Sequence, residues 1–176
     1  MSDTIRTRAA LLALLADNVA GDISAQDMRD LLVSLHGVYG MLYVASGASA
    51  QSLTTTPAKL TGFAANGPSA GTTPAHGSDQ ITVGTDGVYL IMGQFSCIGE
   101  TGATYRLALR VGGVEAPEIA TKFTASMTVG DHVSASFVGL VSLSGSDVLT
   151  VYGESDDAGG ADLTPVEAQV MVKRVA

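Results

Sequence analysis

Basic residues are scarce in this chain, tryptophan is missing and cysteine occurs once. Lys and Arg number 9 against 17 Asp and Glu, a formal net charge of −8. Nucleic-acid binding depends on a basic surface that releases counterions from phosphate, so nucleic acid is excluded as the expected partner. Cys97 alone cannot form a disulfide within the chain, and a zinc site would lack its usual thiolates. It lies in an apolar run and reads as a small buried hydrophobe. Charged residues supply only 15% of the chain and hydrophobic ones 46%, which excludes a disordered polyelectrolyte. Long hydrophobic runs are lacking too. The longest, residues 9–16, is too short to cross a bilayer. The opening Met-Ser-Asp carries no basic n-region and no apolar core of a signal peptide, and no Asn-x-Ser/Thr acceptor occurs. The expectation is a protein made in a reducing cytoplasm, with no membrane partner.

The residues of catalysis are equally sparse. There is no Gly-x-Ser-x-Gly elbow. Lys59, Lys122 and Lys173 do not follow a phosphate-cradling glycine run, and His36, His76 and His132 form no pair at metal-ligand spacing. Neither a catalytic residue nor a cofactor is expected, and the chain does not read as an enzyme. One acidic segment, with Glu154, Asp156, Asp157 and Asp162 around Gly159-Gly160, offers oxygen ligands of the kind Ca²⁺ takes. Its spacing departs from an EF-hand loop, and a solvated acidic loop accounts for it.

What the chain does have is a change of hydrophobic period near Ser46. Before it, apolar residues recur at helical spacing. A first helix is expected over residues 4–16, capped by Thr4. A second is capped by Ser24, with Ile23 stapled to Met28 and a stripe of Met28, Leu31, Leu32 and Leu35. Residues 39–44 form an apolar run read as a strand or docking segment. After Ser46 come short β-like runs divided by turn residues, and glycine reaches 21 in total. Strands are expected near 58–63, 80–84, 87–97, 103–111, 118–124, 132–142, 147–153 and 166–174, with the rest of 57–78 a long loop. Asp86-Gly87, Gly112-Gly113 and the segment 144–147 mark turns. The fold class is mainly β, an antiparallel jelly-roll sandwich preceded by a two-helix segment. The domain reading is a helical anchor over 1–46, a small-residue linker over 47–56 and a β head over 57–176.

One strand carries more information than the others. Tyr89, Ile91, Phe95 and Cys97 share one parity, Leu90 and Met92 the other, so both faces are apolar near its middle. A sandwich buries one face of each sheet, and the second face needs a partner. Low charge with high apolar content likewise favours an oligomer.

The order of strands resembles the C1q/tumour-necrosis-factor-like jelly roll. The likeness rests on residues 85–95, similar to that family's turn and Gly-x-Tyr strand. It continues in 105–113, where Gly-Gly stands for the usual Asn-Gly turn, and in 137–151, where Ser146 interrupts the usual Gly-Asp turn. Residues 21–35 are similar to the helical N-terminal anchors of tailed-bacteriophage fibre and decoration proteins. Together these resemblances imply a virion structural protein, assembled in the host cytoplasm, whose heads pack as a homotrimer. Leu90 and Met92 are then expected at the trimer interface. Ile23, Met28, Leu31, Leu32 and Leu35 are expected to form the anchor, either as a three-copy bundle or docked on a major capsid or tail protein. A capsid decoration (cement) protein is the leading expectation because the chain is short and has no fibre shaft. A receptor- or glycan-binding fibre tip is the alternative, and a free C1q-like ligand or hydrolase-associated module ranks third.

Overall fold

The strand β11 (Val148–Ser155) shows why these segments become strands: burial alternates residue by residue, with Leu149, Val151, Gly153 and Ser155 inside. Period-two burial of this kind is stable only if one face meets another apolar layer. The computed structural model describes residues 10, 13, 28–31, 37–44 and 47–176. Its strands form two six-stranded antiparallel sheets. The front sheet runs in the order β10 (His132–Leu143), β7 (Gly87–Gly99), β12 (Ala161–Arg174), β1 (Tyr39–Val44) and β4 (Ala65–Asn66), with β2 (Gln51–Leu53) also on β12. The rear sheet runs β5 (Thr72–Ala75), β6 (Gln80–Val83), β11, β8 (Thr104–Val111) and β9 (Val114–Thr124), with β3 (Ala58–Lys59) on β11. The jelly-roll sandwich expected from the sequence is the fold observed.

The core lies between the sheets. From the front come Tyr89, Ile91, Phe95, Cys97, Val170 and Val172; from the rear Tyr105, Leu107, Leu109 and Val151. Both core tyrosines satisfy their hydroxyls. Tyr89 donates to the Thr85 carbonyl at 2.7 Å. Tyr105 donates to the Asp162 carbonyl at 2.7 Å and accepts the Glu100 N–H at 2.9 Å, fastening the loop after β7 to the start of β12. Burial raises its pKa above the ordinary phenol value. Gly93 leaves room for the Phe137 ring on the paired strand, where a β-carbon would strike it, and Phe137 then packs on Phe95 with centroids 5.7 Å apart. Burial pushes the Cys97 thiol up to about 12, as fits a structural cysteine.

The turns follow the expected chemistry with one change. Gly112 and Gly113 take φ of 57° and 86°, the two positive values a tight hairpin needs between β8 and β9. Between β10 and β11 the left-handed position falls on Ser146 at φ 82°, not on Gly145. Asp147 closes that turn by accepting the Ser144 N–H at 2.8 Å. Asp86 accepts the Gly145 N–H at 2.7 Å and ties the two turns together.

Two expectations need correction. The segment read mainly as loop over 57–78 contains β4 and β5 as well as the short β3. Pro74 obscured β5, yet an edge strand tolerates proline because one side of it makes no ladder bonds. The sandwich also begins before residue 57. β1 pairs with β12 along its whole length and β2 pairs with the start of β12, so strands from the segments read as anchor and linker belong to the sheet. Sequence alone did not place β1 because its outward Tyr39, Met41 and Tyr43 are as apolar as its inward Leu42 and Val44. Of the expected helices, Ala10, Ala13 and Met28–Leu31 are helical. Met28 is exposed and Leu31 half-buried, while Ile23, Leu32, Leu35 and His36 lie outside the described residues.

Candidate functional site

The outward face of the front sheet carries a group of apolar side chains. Register places its side chains in rows across four strands. One row holds Tyr39, Lys173, Leu90 and Leu140; the next holds Met41, Met171, Met92 and Val138. Leu90 and Met92 therefore stand on the outward face, half-buried, Met92 between Met171 and Val138 and Leu90 between Lys173 and Leu140. Val138 and Leu140, from edge strand β10, are 63% and 56% exposed. Large aliphatic side chains at that exposure, adjoining two methionines and a leucine, make a contiguous apolar patch.

The following rows are polar. Tyr43, Gln169, Gln94 and Ser136 lie across the sheet, and the Gln169 amide donates to Gln94 at 2.6 Å. Ser96 and Ser134 come next, with Ser96 3.2 Å from the His132 ring. An open groove of about 770 Å³ runs over this polar half, bounded by Met41, Tyr43, Gln94, Ser136 and Glu167. A β-bulge between Pro165 and Glu167 shifts the register of β12 here. The face is thus divided, apolar toward the Gly87 end of β7 and polar toward the Gly99 end.

The outward face of the rear sheet differs. Arg106 is bonded through both terminal nitrogens to Glu115 and lies 3.4 Å from Glu154. Its bonds hold the Glu115 carboxyl below the usual carboxylate range. Arg110 stacks over the Tyr152 ring at 4.1 Å. Ion pairs and this stacked cation characterise the surface, and the Arg110 Nε is buried there without a hydrogen-bond partner among the described residues.

The remaining candidates take local structural roles. In the acidic segment, Asp156 accepts the Thr104 N–H at 2.9 Å, which lowers its pKa, and Asp157 accepts the Gly159 N–H at 2.7 Å. These carboxylates organise their own loop. Among the described residues no three acidic, histidine or cysteine groups gather as metal ligands. His76 meets Asn66, 3.2 Å away, and His132 meets Ser96, so the structure does not bring these two histidines together. Sequence reading named Leu90 and Met92 but missed Val138, Leu140 and Met171. Alternation within β10 and β12 was the available signal, and it needs the pairing register to join them to β7.

No protein-family model matches the chain, and no curated protein matches it in sequence. Solved structures do match in fold. The Eiger TNF of S. frugiperda superposes with a TM-score of 0.59 at 14% identity, covering 80% of this chain and 93% of that one. The globular domain of the zebrafish complement 1qA protein gives 0.57 at 15% identity, over 80% and 98% of the two chains. With both, the chain shares the two-sheet antiparallel jelly roll of the C1q/TNF type.

Proposed function

We propose that the chain is a non-enzymatic structural protein that assembles as a homotrimer through the outward face of its front sheet. The observation that carries this reading is the apolar patch of Leu90, Met92, Val138, Leu140 and Met171, which a single sandwich leaves against water. Closed cyclic assembly buries such a patch on every copy at once. Three copies is the number implied by the resemblance to C1q/TNF-like heads, and the fold match supports it. Within that reading the anchor-like sequence of residues 21–35 favours a phage capsid decoration protein, with Met28, Leu31 and their stripe docking on a capsid or tail subunit. Apolar burial across capsomer junctions would then resist expansion of the shell.

Light scattering on the full chain tests the assembly: a trimer mass is expected, and a monomer at micromolar concentration overturns it. A version beginning at Gly37 keeps every described strand and separates the two trimerisation routes. If it remains trimeric, the head assembles by itself; if it falls to monomer, the N-terminal segment holds the copies together. The decoration role has its own test. Capsids stripped of the protein are expected to fail at lower temperature or ionic strength than intact ones, and equal resistance removes that role.

A fibre-tip role has one observation in its favour. Met127 and Val129, on the loop between β9 and β10, are 79% and 87% exposed at the end of the head remote from Tyr39. Binding of the trimer to host cells would favour this second reading.

A further inference from the structure

Asparagine occurs twice in the chain, as Asn18-Val19 and Asn66-Gly67. The second pair is the chemically labile one. A peptide nitrogen that follows asparagine can attack the side-chain amide, and glycine neither shields that nitrogen nor restricts the backbone that must carry it there. A branched valine does both. The fold puts this pair at a sensitive place. Asn66 is exposed and ends β4, the two-residue edge strand paired with β1. Two bonds flank it: the Ala64 N–H donates to the Tyr43 carbonyl at 3.0 Å, and the Gly67 N–H to the Met41 carbonyl at 2.8 Å. The side chain is also committed. Its Oδ1 accepts the His76 backbone N–H at 2.8 Å and lies 3.2 Å from His76 Nδ1. Asn66 thereby ties the edge of the front sheet to the turn that follows β5, the edge of the rear sheet.

We infer that Asn66 is a site of spontaneous deamidation, closed while β4 lies on β1 and opened when β4 lifts away. In the closed state the extended backbone of β4 turns the Gly67 nitrogen away from the Asn66 side chain. The Met41 carbonyl holds the proton of that nitrogen, and His76 holds the amide that would have to rotate toward it. Lifting β4 breaks few bonds, and short edge elements open at lower cost than the whole domain.

Once open, the pair needs only water. The Gly67 nitrogen gives its proton to water and bonds to Asn66 Cγ. The bond from Cγ to the amide nitrogen breaks, and that nitrogen takes up a proton and leaves as ammonia. Water then opens the resulting cyclic imide at either of its carbonyls, giving aspartate or isoaspartate. Either product adds a negative charge beside His76. Isoaspartate also routes the main chain through an additional carbon, which displaces Gly67 from its register with Met41 and leaves β4 loose.

The test is peptide mapping by mass spectrometry of the full chain held at mildly alkaline pH, once folded and once in urea, with isoaspartate counted by enzymatic methylation. In urea Asn66 should convert while Asn18 stays largely intact. The folded chain should convert at Asn66 about tenfold or more slowly, and the slowing should follow the protection of the Gly67 amide from hydrogen exchange. Gly67→Val, compared in urea where folding plays no part, should suppress the conversion. Equal rates in the folded and unfolded chain, no conversion of Asn66 in urea, or unslowed conversion in Gly67→Val would each overturn the inference. So would an Asn66 that stays intact in the folded chain while the Gly67 amide exchanges freely.

Discussion

The two outward faces of this sandwich are built on the same strand geometry and finished differently. On the rear sheet, Arg106, Glu115 and Glu154 pair, and Arg110 covers Tyr152. On the front sheet the corresponding positions hold Leu90, Leu140, Met92, Met171 and Val138. The difference teaches where the molecule stops. The rear face pairs Arg106 with Glu115 and Glu154, though the buried Arg110 Nε has no hydrogen-bond partner among the described residues; the front face still has apolar area to bury, worth roughly 25 cal/mol per Å² once it is covered. An inward face shows how a domain folds, and an outward face shows whether it folds alone.

Mutations on the two faces should break the comparison in order of size. Leu140→Asp has the largest expected effect. The side chain is 56% exposed in one copy, so the single sandwich tolerates a charge there. In the assembly three carboxylates would be buried unpaired, at about 3 kcal/mol or more each, and light scattering should show only monomer. Tyr105→Phe, inside the core, leaves the Glu100 N–H and the Asp162 carbonyl without their partner. A loss of about 1–3 kcal/mol is expected by denaturant unfolding, with no change of mass. Arg106→Ala on the rear face should cost about 1 kcal/mol or less, because the pair is part-exposed and screened by solvent. The sign of its pH dependence follows from the lowered Glu115 pKa. The stabilisation is present above the unfolded carboxylate pKa and fades as pH falls through the folded one. Unfolding curves of wild type and Arg106→Ala should therefore converge in acid. Ser146→Gly is the smallest change. Relief of a left-handed backbone should add about 0.5–1 kcal/mol of stability, measurable as a raised melting temperature.

Much of the fold was legible because the long strands alternate. The segments expected at 87–97, 103–111, 132–142 and 166–174 correspond to β7, β8, β10 and β12, since each alternates buried and outward residues over much of its length. The parity of β12 shifts at its bulge, and β8 buries Leu107, Ala108 and Leu109 in succession. The short strands were not legible. β2, β3 and β4 hold two or three residues each, too few for a period to appear. β1 was ambiguous because it is apolar on both sides. The apolar patch was half legible for a related reason. Leu90 and Met92 announce themselves inside one strand, but their neighbours come from residues 138, 140 and 171, joined only by pairing. The rear-face cluster of charged side chains was not legible at all. Arg106, Lys122 and Asp156 are distant in sequence and meet through β8, β9 and the turn after β11. No local motif reports such a meeting.

The burial of Cys97 has a practical consequence for every experiment above. At 0% exposure and with its thiol pushed up to about 12, it should stay silent toward maleimides while the protein is folded. The natural chain is therefore already a blank background for labelling. A cysteine substituted at Ser136 on the front face would be the sole reactive handle per copy. A spin label or fluorophore placed there reports distances between copies without the native cysteine first being removed.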